Sequence, residues 1–121
     1  MTFTKADHDK AVELYQRFKD AAWWPGFTHW NQKDQAWQQN IDGRQWWDGN
    51  LLGIDHALSA IAWAMVQHLY ATGGCEIAPT DPFGNGPVCY AYDNNAQGTP
   101  HYGPTPFQAL AAAVEGMDKG G

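Results

Sequence analysis

Residues 73–92 read Gly-Gly-Cys-Glu-Ile-Ala-Pro-Thr-Asp-Pro-Phe-Gly-Asn-Gly-Pro-Val-Cys-Tyr-Ala-Tyr, and this stretch decides the fold class. Cys75, Ile77 and Pro79 alternate with Glu76 and Ala78, and Val88, Tyr90 and Tyr92 alternate with Cys89 and Ala91. A period of two is what an extended strand imposes on its side chains. Between the runs lies Asp81-Pro82-Phe83-Gly84-Asn85-Gly86-Pro87, made of turn formers. The pattern predicts a β-hairpin with a loop longer than the tightest turns, and a symmetric loop sets Cys75 opposite Cys89. Two strands are marginal alone. They need a helix across one face or a strand from a second copy, so a homo-oligomer, commonly of cyclic symmetry, is expected.

Helical periods flank the hairpin. Leu58, Ile61, Ala62, Met65 and Leu69 repeat at helical spacing from about Asp55 to Ala71, with Gly73-Gly74 as the stop. At the far end Thr105 caps, Pro106 takes the first helical position, and Phe107, Leu110, Ala111 and Val114 form the stripe, with Gly116 and Gly120-Gly121 as stops. Near the start, Thr4 caps with Asp7 three residues on, and Ala11, Leu14, Tyr15, Phe18 and Ala22 share a face until Trp24-Pro25-Gly26. Asn31 to Asn40 reads as a short helix carrying Trp37, Asp42-Gly43 and Asp48-Gly49-Asn50 as turns, and Asp93 to Pro104 as a polar loop. The expectation is a small α+β fold, one domain over residues 1–121, in the order α, Trp-rich segment 23–50, α, β, β, α.

The 121 residues carry a net charge of -6, which argues against a surface for duplex DNA. That charge is unevenly placed. Six basic and six acidic residues balance in 1–44, whereas beyond Arg44 a single cation, Lys119, faces seven carboxylates. Cys75 and Cys89 are the only cysteines and lack metal-ligand spacing, so structural thiols and no metal are expected. The N-terminus lacks the layout of a secretory signal, and Ile54 to Tyr70 is interrupted by Asp55, His56, Ser59, Gln67 and His68. A cytoplasmic protein of a bacterial cell, with no membrane contact, is the expectation.

Tryptophan is the outlier. Six of seven lie between residues 23 and 47: Trp23, Trp24, Trp30, Trp37, Trp46 and Trp47. They share their half of the chain with Arg17, Lys19, Lys33 and Arg44. Flat rings beside cations suit a nucleobase attached to phosphate, because stacking contributes ~1–3 kcal/mol per base and guanidinium grips phosphate through paired hydrogen bonds. Local core packing competes with this reading, since the segment is poor in Leu, Ile and Val. The adjacent pairs Trp23-Trp24 and Trp46-Trp47 favour at least two exposed rings, because neighbouring side chains diverge in strand and helix.

Catalytic patterns are weak. Asp55-His56 has no nucleophile assigned by spacing. His8 and His68 lack the His-Glu-x-x-His pattern. Gly84-Asn85-Gly86 is too short to cradle phosphate, and Glu76 and Asp81 read as solvated hairpin carboxylates. No cofactor motif is found. A hydrolase using His56 or His101 with Asp55 or Asp81 is the least favoured option.

The run Tyr102-Gly103-Pro104-Thr105-Pro106-Phe107-Gln108-Ala109-Leu110-Ala111-Ala112-Ala113, preceded by the strand Val88 to Tyr92, resembles small bacteriophage accessory proteins of the NinX-like and phage ABA-sandwich type. Phe107 stands where those proteins usually carry Leu. The likeness covers about a third of the chain and implies a phage protein without a known reaction, of a kind that often counters host defence. Two modes follow from it. The first is sequestration of a nucleotide-derived signal, with Trp23, Trp24, Trp46 and Trp47 stacking bases, Arg17, Lys33 and Arg44 holding phosphate, and His101 or Tyr102 closing over the ligand. The second is protein–protein inhibition of a host defence effector such as a CRISPR nuclease complex, with the acidic later part facing a basic partner.

Overall fold

The computed structural model describes residues 3–26, 28–39 and 51–120. Within them the order is α1 (Lys5–Phe18), β1 (Thr28–Asn31), β2 (Ala36–Gln39), β3 (Leu51–Leu52), α2 (Ile54–Tyr70), β4 (Cys75–Ala78), β5 (Val88–Tyr92), β6 (Gly98–Tyr102) and α3 (Pro106–Gly120). The fold is α+β, as the sequence pattern implies. The chain divides into two compact units, Met1–Ala64 and Met65–Gly121, and α2 runs through the division. Each unit carries an antiparallel sheet, β1-β2-β3 in the first and β4-β5-β6 in the second.

In the first unit, α1 begins with a full capping box. The Thr4 hydroxyl accepts from the Asp7 amide and the Asp7 carboxylate accepts from the Thr4 amide. Such a cap is worth about 1 kcal/mol. Ala11, Leu14 and Phe18 are buried along one face. The helix stops short of Ala22, because tight turns take over: Ala21 N–H bonds to Phe18 O and Trp24 N–H to Ala21 O. Trp24 is thereby buried, its indole N–H on Thr28 O at 2.9 Å.

The stretch Asn31 to Asn40, expected as a short helix, is instead the second half of a hairpin. Trp30 and Trp37 face each other across β1 and β2, with ring centroids 5.1 Å apart. Asn31 Oδ1 accepts from the Asp34 amide and Asn31 Nδ2 donates to the Asp34 carboxylate, so the short polar side chains engage the turn rather than a helix. Gln35 closes that turn at φ 51. The core here is aromatic. His8 packs edge-on to Trp30 and Trp37, and Tyr15 packs edge-on to Trp24, His29 and Trp37.

In the second unit, Leu69 O accepts from both Gly73 and Gly74, and Gly74 turns the chain out of α2 at φ 109. Gly73 has its own reason for lacking a side chain: a Cβ there would lie 2.1 Å from Tyr92 O. The hairpin is present, but Cys75 pairs with Ala91 and Cys89 with Ile77, because the ladder closes at Ala78 and Val88 and the loop is off-centre. Residues 93–104, expected as loop throughout, contain the third strand. Asp93 Oδ1 accepts from the Asn95 and Gln97 amides, and Ala96 sits at φ 61, which returns the chain for β6. Pro100 is tolerated because β6 is an edge strand. Gln108 N–H donates to the Thr105 hydroxyl, and α3 starts at Pro106 as its sequence predicts. It runs past Gly116 to Gly120 and packs on all three strands, burying Phe107, Leu110, Ala113 and Val114.

Candidate functional site: the open face of the second sheet

Register assigns every residue of the second sheet to a face. Cys75, Ile77, Cys89, Ala91, Thr99 and His101 share one side. This is the side α3 covers, since a Cβ on Gly116 would reach within 2.7 Å of the His101 ring. Glu76, Ala78, Val88, Tyr90, Tyr92, Pro100 and Tyr102 share the other. Val88 is buried there, while Glu76, Pro100 and Tyr102 are exposed and Tyr90 and Tyr92 are half-buried.

Two carboxylates are fixed to this outer face by tyrosines. Tyr92 Oη donates to Glu76 at 2.8 Å, and Tyr102 Oη donates to Asp81 at 2.8 Å. Asp81 also accepts from the amides of Phe83 and Asn85 and from the Asn85 side chain. These donors, the Asn85 amide foremost, hold the Asp81 carboxyl below its ordinary range, whereas hydrogen bonding to the carboxylates pushes the Tyr92 and Tyr102 phenols up. Asp81 therefore stays ionised, and both of its oxygens are committed to fixing the 79–87 connection. At the tip of that connection Phe83 is 87% exposed. A large apolar ring is thus displayed on a loop that its own hydrogen bonds have already ordered, which lowers the entropy lost on docking. No Lys or Arg occurs from residue 45 to residue 118, so the second unit offers an acidic, aromatic surface.

The residues named from sequence fall in several places. Arg44, Trp46 and Trp47 lie outside the described residues, as do the turns around Asp42 and Asp48. Trp24 is buried and Trp23 is half-buried, tilted against Phe18 at 5.1 Å. Arg17 is exposed, its guanidinium 4.9 Å above the Phe18 ring, and Lys33 is exposed in the β1–β2 turn. Arg17 and Trp23 therefore meet at Phe18. Adjacent in β6, His101 and Tyr102 point to opposite sides of the sheet, one towards α3 and one onto the outer face. Asp55 and His56 are both exposed at the start of α2.

Three half-buried histidines are shifted towards the neutral form. Burial lowers His29, helped by Lys19, and burial alone lowers His68 and His101. His29 Nδ1 lies 2.6 Å from Tyr15 Oη, a hydrogen bond whose direction follows the imidazole tautomer. On the inner face Cys75 and Cys89 are neighbours. Burial pushes the Cys89 thiol up to about 12, with Cys75 adding to the shift, and burial also raises Cys75. Among the described residues no group of three or more His, Cys, Asp or Glu is placed to hold a metal ion, and no helix is long and apolar enough to cross a membrane.

Sequence reasoning passed over Tyr90, Tyr92 and Phe83 as binding residues. The signal for them was present in the alternation that sets Tyr90 and Tyr92 on one face and in the cation-free run after Arg44. No protein-family model, curated protein or solved structure matches this chain.

Proposed function

We propose that this chain is a non-catalytic binding protein whose second unit docks through its open tyrosine face and Phe83 onto a basic protein surface. The observation that carries this reading is the exposed Phe83 on a hydrogen-bonded loop beside the Tyr92–Glu76 and Tyr102–Asp81 pairs, in a stretch without a cation. Aromatic anchors ringed by complementary charge are what strong protein contacts use. With the resemblance to phage accessory proteins, the partner class is a host defence effector with a Lys/Arg-lined nucleic-acid channel, and binding there inhibits it. The test is a photo-crosslinking amino acid at position 83, at position 102 and, as a control, at position 33. The same partner captured from positions 83 and 102 but not 33, with affinity falling at least tenfold in Glu76→Lys, is the expected result. Partners that differ between 83 and 102, or affinity unmoved by Glu76→Lys, would overturn it.

One observation favours a second reading, a binder of a nucleotide-derived signal in the first unit: the exposed Arg17 lies over the buried Phe18 ring, against which the half-buried Trp23 is tilted. Titrating cyclic nucleotides against tryptophan emission tests it. A saturable change that Arg17→Ala abolishes supports it, and an unchanged spectrum across the panel removes it.

A further inference from the structure

The inner side of the second sheet holds a feature that shares only Tyr92 with the docking face. Between β5, β6 and the last turns of α3 lies a cleft of about 700 Å³, lined by Thr72, Asp93, Asn94, Thr99, His101 and Met117. That volume is within the range of small-molecule sites. His101 is one of its polar lining groups. The ring is half-buried, and among the described residues it takes no hydrogen bond. It rests against α3 at Gly116, where any Cβ would come within 2.7 Å of its Cε1 atom. A glycine inside a helix weakens that helix, and here its absence of a side chain is what lets the imidazole lie between the sheet and α3. Met117 is held beside it, because the Thr72 hydroxyl, which bonds Leu69 O at 3.0 Å, also reaches Met117 Sδ at 3.8 Å.

We propose that this cleft binds a small, uncharged ring compound rich in hydroxyl or N–H groups, a nucleoside or a monosaccharide unit, with His101 among its hydrogen-bonding residues. The lining explains the class. Asp93, Asn94, Thr72 and Thr99 bring polar atoms to the lining, and Met117 and Ala91 bring apolar ones. Among the described residues that line the cleft none is a Lys or Arg and Asp93 is a carboxylate, so this lining favours an uncharged ligand over an anion. Burial shifts the His101 imidazole towards the neutral form, which has one nitrogen to donate and one to accept. The described lining therefore disfavours a phosphate-bearing ligand relative to its uncharged parent.

The experiment follows the His101 imidazole resonances by NMR in the full chain, with adenosine, uridine, methyl glucoside and adenosine monophosphate as probes up to 10 mM. The expected result is saturable movement of the His101 signals with a nucleoside or with the glucoside, which tells the two sources apart, and affinity for the monophosphate at least tenfold weaker than for adenosine if nucleosides are the ligands. His101→Gln and the milder Thr99→Ala should each weaken that binding at least threefold while the remaining spectrum stays folded. Unmoved His101 signals with all four probes, monophosphate binding as tight as adenosine, or binding indifferent to both variants overturns the proposal. These results can be told apart from the docking reading, since Phe83, Glu76 and Tyr102 do not line the cleft and Tyr92 alone is common to both.

Discussion

Phenylalanine replacements at Trp37 and Trp24 should have opposite consequences, although both rings are buried. Each change removes roughly 50 Å² of buried ring, worth about 1.3 kcal/mol at 25 cal/mol per Å². The indole nitrogens then decide the outcome. Trp24 N–H donates to Thr28 O at 2.9 Å, and Thr28 is itself buried, so Trp24→Phe leaves a carbonyl without its donor. That adds about 1–3 kcal/mol to the loss. Trp37 is 1% exposed and its N–H has no hydrogen-bond partner among the described residues. Trp37→Phe therefore removes an unsatisfied donor, a gain of about 1–3 kcal/mol that offsets the lost ring. The expected costs are about 3 kcal/mol for Trp24→Phe and close to zero for Trp37→Phe. Urea denaturation followed by far-ultraviolet circular dichroism measures both without relying on the fluorophore being changed. Equal losses, or a larger loss at Trp37, would show that hydrogen-bond satisfaction is not what separates the two positions. Trp37→Ala, by contrast, should cost about 3–5 kcal/mol, as deleting a whole core ring does.

Further outcomes follow from single features of the structure. Gly73→Ala should destabilise by about 3 kcal/mol, because its Cβ meets Tyr92 backbone, while Gly26→Ala, with open space around it, should stay within about 0.5 kcal/mol in the same denaturation assay. Ala96→Gly and Gln35→Gly should each stabilise by about 0.5–1 kcal/mol, since both residues hold a left-handed conformation that glycine adopts without strain. Stability should decline on acidification. His29, His68 and His101 have folded-state pKa values below the ordinary 6.5, so the unfolded chain takes up protons first and stability falls as pH drops below 6.5, with a second loss as Asp81 protonates below its ordinary 3.8. A denaturation midpoint that is flat from pH 7 to pH 3 would contradict this. Both thiols should resist alkylation at pH 8 in the native protein and react after unfolding, as mass spectrometry of iodoacetamide-treated samples will show.

The helices were legible because capping and periodicity agree: Thr4 with Asp7 and Thr105 with Pro106 mark their starts at the observed positions. The hairpin was legible from its period of two, but its register was not, since loop symmetry is a poor guide when Asp81 draws the connection into its own hydrogen-bonded turn. β1 and β2 were hidden because the polar residues of the β1–β2 turn have helix-compatible spacing, and only the pairing of Trp30 with Trp37 reveals strands. β6 was hidden because Gly98 and Pro100 disfavour strand, and its edge position is a tertiary fact. Tryptophan counts alone could not separate core from surface. Trp24, Trp30 and Trp37 are buried while Trp63, on α2, is 63% exposed. Of the candidate ligand residues, the Arg17 and Trp23 association through Phe18 was foreseeable only as shared neighbourhood, and the facing of His101 away from Tyr102 follows from strand alternation once β6 is known.

The most direct measurement is the affinity of the crosslinked partner for the wild-type chain and for Phe83→Ala, each at 50 mM and 300 mM salt. A basic partner docked on the outer face predicts at least a tenfold loss on removing Phe83 and a marked weakening of the wild-type complex at the higher salt. Affinities equal within twofold across all four conditions would contradict the assignment of that face as the binding surface.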